Sequence, residues 1–400
     1  MNQNVNSEGI GQPAFDVLVV GGGPAGSAAA MAFARAGRSV ALLAAERPRA
    51  DGRTVALMQP ALRFLEDLDA WEKLEACSAP LERLVIVDDT GSLFRPPPTT
   101  FIAREIDLDH FGKNIEASIL ADGLWSAAGT DERVVRMTGR AVAVSNDGPL
   151  ARVATDNGTV ITARLLVAAD GRRSLLREAA GIGVREWSYP QAAVTAILAH
   201  ERSHQETSTE FHTRSGPFTL VPLPGRRSSL VWLTEPRNAE RLIAEGEAEF
   251  ALTVERQARS MLGRMRLDGP RGSTPMTGIS VGSFGRNRIA LIGEAAHVFP
   301  PIGAQGLNLG FSDVRALLAA AAPFDDPGCQ EALSAYDADR SGEVGARTTF
   351  VDVLNRSLLT ALLPVDLARG VGLLALGSIG SLRRMAMKRG LGAGDYGNRS

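Results

Sequence analysis

Residues 15–35, FDVLVVGGGPAGSAAAMAFAR, decide the fold. Phe15 to Val20 is an almost unbroken apolar, β-branched run, the pattern of a strand buried on both faces of a parallel sheet. The alanine-rich stretch Pro24–Ala36 predicts a helix that Gly37 ends, and Ser39–Leu43 predicts the next strand. Strand, glycine turn, helix and strand make one βαβ unit. Its turn, Gly21-Gly22-Gly23-Pro24-Ala25-Gly26, fits G-x-G-x-x-G. Gly21 permits the tight turn, Gly23 lets backbone approach a pyrophosphate, and Gly26 lets the helix pack on the sheet. The helix start then faces phosphate with unpaired N–H groups and the positive end of its dipole. The same fingerprint asks for an acid ~20 residues on, to hold a ribose. That position falls at or near Ala44, and the nearest carboxylate is Glu46. Either the strand end shifts so that Glu46 reaches the ribose, or other groups bind it; the spacing favours the second.

Outward from this unit, helical patterns cover Gln59–Ala76, Lys113–Ala128, Glu240–Met265 and Leu307–Ala321. Strand patterns cover Leu84–Asp88, the surroundings of Leu93, Val134–Val160, Leu165–Ala169 and Arg288–Ile292. Gln191–Thr234 alternates between turns, as antiparallel sheet does. Glu331–Arg389 reads as helical and apolar, broken at Pro364. The 400 residues, 44% hydrophobic and 22% charged, suffice for two or three folding units. Lys+Arg 43 against Asp+Glu 45 gives a net charge of -2, which argues against nucleic acid as partner. Cys77 and Cys329 stand alone, so neither a disulfide framework nor a zinc cluster is expected, and a reducing cytoplasm is. The start of the chain has no leader pattern, and no apolar run reaches the ~18 residues of a membrane span.

Two more motifs make the nucleotide site specific. Leu165–Gly171, LLVAADG, followed by Ser174 and Arg177, resembles the A-D-G-x-x-S-x-x-R segment of the class A flavoprotein monooxygenases. Arg288–Asp313, RIALIGEAAHVFPPIGAQGLNLGFSD, resembles their G-D-A-A-H-x-x-P-P-x-G-x-x-G-x-N-x-G stretch. Within that family Asp51–Leu57, DGRTVAL, is similar to the G-R-x-x-A-L run of the ubiquinone-biosynthesis hydroxylases, and GAQGLNLG and Leu354–Leu358, LNRSL, fit the same group.

The resemblance implies an α/β fold: a doubly wound, Rossmann-like FAD-binding domain with an inserted, mostly antiparallel β substrate domain and a helical C-terminal segment. The expected boundaries are 14–82, 104–186 and 276–330 for the FAD domain, 83–103 and 187–275 for the substrate domain, and 331–392 for the C-terminal segment. The implied cofactor-binding residues are Gly21, Gly23, Gly26, Arg53, Asp170, Gly293, Glu294, Pro300, Gly303, Gly306, Leu307 and Asn308. Asp170 lies near the pyrophosphate and the nicotinamide path, with Arg177 supporting its loop. Arg53 contacts phosphate or ribityl oxygens. Glu294 stands where relatives carry Asp for the ribityl hydroxyls, one methylene longer. Pro300, Pro301, Gly303 and Gly306 form a turn against the isoalloxazine, with Ala304 replacing a common glycine. Leu307 and Asn308 open a helix towards flavin N1 and C2=O. The implied reaction is hydroxylation of a polyprenylated phenol in ubiquinone biosynthesis: NAD(P)H reduces FAD, O₂ adds as a C4a-hydroperoxide, and the distal oxygen passes to the ring. Two alternatives remain, a hydroxylase of a soluble phenol or secondary metabolite and a non-catalytic FAD-containing lipid-handling subunit. The residues name no catalytic base.

His200-Glu201-Arg202-Ser203-His204 matches H-E-x-x-H, which holds zinc only on a helix. Its neighbourhood predicts strand and turn, so no metal site is expected, and His212 is no third ligand. His297 is expected to support its loop by hydrogen bonding. Gly216–Leu223 resembles the substrate-domain strand that covers the flavin face. Leu358, Leu362, Leu373, Leu374, Ile379 and Leu382 accompany Arg356, Arg369, Arg383, Arg384, Lys388 and Arg389, a basic and apolar mix suited to peripheral contact with an anionic membrane face.

Overall fold

Val17, Leu18 and Val19 have no exposed surface, because side chains on both faces of their strand pack into the core shared with the flanking helices. Burial of such side chains stabilises by about 1.5–3 kcal/mol each. This is a computed structural model, and it describes residues 15–45, 52–91, 96–146, 148–300, 305–359, 372 and 374–390. In it β1 (Phe15–Val20) pairs in parallel with β2 (Val40–Ala44) on one side and β11 (Val160–Ala168) on the other. Parallel pairing continues from β2 to β8 (Val134–Thr138) and from β11 to β19 (Ile289–Leu291). β18 (Gly285–Arg286) closes one edge, and the hairpin β9 (Ala141–Ser145) and β10 (Ala151–Thr155) joins β11 antiparallel. Helices α1 (Pro24–Arg35), α4 (Ala117–Ala128), α8 (Gln305–Ala321) and α9 (Gln330–Leu359) belong to this layer, and one hydrophobic core joins the strands to all four.

A small sheet, β3 (Thr54–Met58), β7 (Gly112–Glu116) and β4 (Ser78–Pro80), lies beside the helices α2 (Gln59–Asp67) and α3 (Glu72–Glu75). The second large sheet has nine strands. β5 (Arg83–Asp88) and β6 (Thr99–Ile102) come from early in the chain. β12 (Val184–His200), β13 (Thr207–Thr213), β14 (Gly216–Leu223), β15 (Arg227–Thr234), β16 (Met265–Leu267), β17 (Gly272–Val281) and β20 (His297–Val298) complete it. The pairing is antiparallel except between β5 and β13, which run in parallel. Helices α6 (Pro236–Ala244) and α7 (Glu247–Gln257) cover one face, burying Phe211, Phe218, Leu230 and Trp232 in a core of its own.

The structure changes three expectations. Gly112–Glu116 is a strand, so the helix expected from Lys113 starts at Ala117; pairing with Thr54–Met58 outweighs local preference there. The helix expected over Glu240–Met265 is two, because Glu245 is extended at ψ 151 and Gly246 caps the second. That second helix stops at Gln257, ahead of Arg259 and Ser260 with φ 55 and 51. The helix over Gln59–Ala76 is interrupted by Asp69 at φ 53. Leu93 and Pro364 lie outside the described residues.

Candidate flavin site

Two glycines of the β1–α1 turn lie hard against backbone oxygens. Gly21 has φ +122, and a Cβ there would lie 2.1 Å from the Ala169 carbonyl oxygen. A Cβ on Gly26 would lie 1.9 Å from the Gly21 oxygen. At Gly23, by contrast, a Cβ would meet no atom within 4 Å. Gly23 is also the N-cap of α1, with no side-chain cap and no acid in the first turn. The free N–H groups of this helix start therefore face open space, the arrangement that binds pyrophosphate. Ala44 ends β2 as the spacing suggested. Glu46, Pro301, Gly303 and Ala304 lie outside the described residues.

β11 delivers Ala169-Asp170-Gly171 beside the turn, with the Ala169 N–H donating to the Val20 oxygen at 2.8 Å. One Asp170 oxygen accepts from the Leu176 N–H at 3.3 Å. The other, Oδ1, is buried with no hydrogen-bond partner among the described residues. Burial pushes the Asp170 carboxyl above the usual range, against the pull of the Ser174 hydrogen bond. Ser174 caps α5 (Leu175–Ala179) through the Arg177 N–H. The buried Arg177 donates to the Ala295 oxygen at 2.9 Å and the Arg172 oxygen at 2.8 Å, so it ties this loop to the next motif as expected.

That motif begins where β19 ends. Gly293 turns at φ +57, and a Cβ on it would lie 3.5 Å from the Ala25 side chain, in the first turn of α1. Glu294 is exposed and pairs with Arg172 at 3.2 Å. Pro300 is buried. A Cβ on Gly310 would lie 3.4 Å from the Gly293 Cα, so α8 crosses the turn closely. Gly306, in the first turn of α8, faces open space. The Asn308 side chain is committed to protein: its oxygen accepts from the Met58 N–H at 2.8 Å and its Nδ2 donates to the Ala56 oxygen at 2.9 Å. It pins the start of α8 to β3, leaving backbone rather than the Asn308 amide to face a ligand. Arg53 lies exposed beside Gly52, whose φ of +75 sets it against the Pro270 oxygen in the connection between β16 and β17.

Sequence reasoning missed the groups that hold this cradle from behind. Asp313 has no exposed surface and accepts from the Gly293 N–H at 2.8 Å, His297 Nε2 at 2.7 Å and Arg340 Nε at 2.8 Å. Tyr336 donates to the Leu291 oxygen at 2.7 Å, and burial pushes its hydroxyl well above the usual phenol range. His297 is thus a loop support, as expected. Asp313 sits inside the quoted motif, which was its one signal; Arg340 and Tyr336 had none. His200 and His204 lie on a strand end and a turn, with ring nitrogens bonded to Arg202 and Ser228, and to Leu223 and Glu206, respectively. A hollow of about 430 Å³ borders His200 and the arginines 226, 227, 264 and 266, and it shares no residue with the glycine turns.

A family model described as an FAD binding domain matches residues 14–350. The chain belongs to that family. FAD suits the residues present: a glycine left open at a helix start, an orphaned buried carboxylate oxygen and a second glycine turn packed on the first. The chain is 34% identical over 388 residues to a ubiquinone hydroxylase, UbiL, of Rhodospirillum rubrum, covering 94% of this chain and 89% of that one. It is 28% identical to the 3-demethoxyubiquinol 3-hydroxylase of Escherichia coli, covering 94% and 98%. Among solved structures, p-nitrophenol 4-monooxygenase from Pseudomonas putida superposes with a TM-score of 0.78 at 18% identity, covering 94% and 98%. Klebsiella pneumoniae HpxO, complexed with FAD and uric acid, gives 0.78 at 19%, covering 94% and 96%. At such identities the likeness to these structures is one of fold. With its family and relatives, the chain is a class A FAD-dependent monooxygenase, as its three motifs implied.

Proposed function

We propose that this flavoprotein hydroxylates the aromatic ring of a polyprenylated phenol on the route to ubiquinone. The observation that carries the reading is the meeting of three sequence-distant stretches at the start of α1, in a chain 34% identical to a ubiquinone hydroxylase. Bound FAD, reduced by NAD(P)H, supplies the activated oxygen. The chain's own residues bind, orient and exclude water. Gly21, Gly23 and Gly26 bring the α1 N–H groups to the pyrophosphate, and Arg53 adds a positive charge. Asp170 Oδ1 accepts from a cofactor hydroxyl. Gly293 and Glu294 serve the ribityl chain. Pro300, Gly303 and Gly306 lay backbone along the ring, and Leu307 and Asn308 start the helix whose N–H groups offset negative charge there. In this reading the FAD unit is 14–82, 104–186 and 276–330, and the substrate unit 83–103 and 187–275. Deleting the gene and profiling quinone intermediates tests it. A prenylated phenol lacking one ring hydroxyl should accumulate; unchanged quinone would remove the proposal.

The same reading includes contact with a membrane face through the C-terminal segment. None of the described helices is long and apolar enough to cross a membrane. The helix α10 (Gly380–Gly390) is held down by Met387, buried with Ala103, Ile106 and Phe111, and by an Arg383–Glu105 pair at 2.8 Å. It and the residues before it expose Leu374, Ile379 and Met385, next to exposed Arg384 and Lys388. Replacing those three apolar residues together with serine should reduce co-sedimentation with anionic vesicles; equal binding by both forms would end this part.

A further inference from the structure

The inner face of the large antiparallel sheet holds a polar group that neither the fold nor the cofactor uses. Phe211, Phe218, Leu230 and Trp232 point into the core under α6 and α7, and Val87 packs there too. Side chains alternate along a strand, so Glu210, His212, Thr219, Val231 and Asp88 point to the opposite face. There Glu210 Oε1 lies 2.8 Å from His212 Nε2, and Thr219 donates to Glu210 Oε2 at 3.2 Å. The His212 side chain is 8% exposed, yet its Nδ1 is buried without a partner among the described residues. Its neighbour across the parallel β5–β13 pair, Asp88, likewise leaves Oδ2 unpartnered. A nine-tenths buried imidazole nitrogen with no partner carries a desolvation cost that a ligand hydrogen bond would remove.

Building on the reading above, we propose that His212, oriented by Glu210, binds the ring hydroxyl of the substrate and takes its proton. Burial works to raise the Glu210 carboxyl, while the hydrogen bonds it accepts from His212 and Thr219 work to lower it, and the net direction is below the usual range. An ionised Glu210 only accepts, so Nε2 carries the proton and Nδ1 presents its lone pair. The phenolic O–H bond breaks, its proton goes to Nδ1, and the electron pair stays on the phenolate oxygen. The imidazolium formed is stabilised by Glu210, and the phenolate ring is richer in electrons for the oxygen it receives. No further oxidant or reductant enters. The face is placed for this. Two residues along β15 from Val231, about 7 Å away, Ser229 on the same face accepts from Thr54 at 2.8 Å and from the buried Asn114 at 3.3 Å. Thr54 begins β3, the strand to which Asn308 pins the start of α8.

The test uses FAD-loaded enzyme, 2-prenylphenol and its methyl ether, with binding read from the change in flavin absorbance and turnover measured alongside. The wild type should bind the phenol about tenfold tighter than the ether, the worth of one buried hydrogen bond. His212→Phe should bring that ratio to about 1. His212→Asn keeps an acceptor near Nδ1 but cannot take the proton, so the ratio should survive while kcat falls about 100-fold. Glu210→Gln should likewise lower kcat more than affinity. A ratio near 1 in the wild type, or one unchanged in His212→Phe, overturns the proposal. Should His212→Phe fail to fold, full kcat in His212→Asn and Glu210→Gln overturns it equally. If the wild type neither binds nor hydroxylates 2-prenylphenol, the substrate reading falls and this inference with it. Hydroxylation undiminished in His212→Phe sinks the inference alone.

Discussion

The flavin end of the parallel sheet and the inner face of the antiparallel sheet place their chemistry by opposite means. At the first, backbone does most of the work: glycines remove side chains so that N–H groups and turns approach closely, and the buried Asp313 and Arg177 brace that backbone. At the second, the backbone is used up in the ladder, and whatever the face offers comes from every second side chain, as with Glu210, His212 and Thr219. A site of the first kind is fixed by spacing along the chain. A site of the second kind is fixed by which strands happen to be neighbours.

If bracing from behind is what holds the first region, the largest loss should come from a residue that touches no ligand. Asp313→Ala takes a carboxylate away from the buried Arg340 and frees the Gly293 N–H, and should cost about 3–5 kcal/mol. A thermal melt of the apo-protein checks it, and a change under 1 kcal/mol would break the picture of a braced cradle. Next comes a pair of glycines two residues apart. Gly21→Ala should cost about 2–3 kcal/mol, since its Cβ would overlap the Ala169 carbonyl at an unfavourable φ. Gly23→Ala should leave stability within about 0.5 kcal/mol and still weaken FAD binding, because its Cβ occupies space kept for the ligand. Equal effects of the two on stability would erase the distinction between them. The smallest effect has the opposite sign. The raised Asp170 pKa means that this group's contribution is fully present at acid pH and is lost as pH climbs through its folded pKa. Asp170→Asn should therefore raise the apo-protein melting temperature at neutral pH, reduce its dependence on pH on the acid side and weaken FAD binding. Melting curves with a flavin titration decide, and a lower neutral melting temperature would contradict the sign.

What could be read from the chain follows the same division. Phe15–Val20 and Pro24–Arg35 were legible almost to the residue, because a strand buried on both faces and a Pro-started, alanine-rich helix declare themselves locally. Gly112–Glu116 was misread, because GKNIE has little strand character and its identity depends on Thr54–Met58 far along the chain. Glu245-Gly246 broke a helix that periodicity alone carried through. At the flavin site Gly21, Gly23 and Gly26 were visible from spacing and Asp170 from the family resemblance, whereas Arg340 meets Asp313 only once α9 lies across α8. Alternation over Gln191–Thr234 pointed to antiparallel sheet but left open which face of each strand α6 and α7 would cover, and so left His212 without a role.

The parallel pair β5–β13 also bears on how this protein is made. Arg83–Asp88 emerges from the ribosome well before Thr207–Thr213, the strand it needs as a neighbour. Until then the β13-facing edge of β5, with its apolar run LVIV, has no partner strand, the kind of template on which nascent chains stick to one another. Synthesis of the middle of the chain is thus the interval in which a holding chaperone, or a slower concentration of ribosomes on the message, has most to contribute to yield.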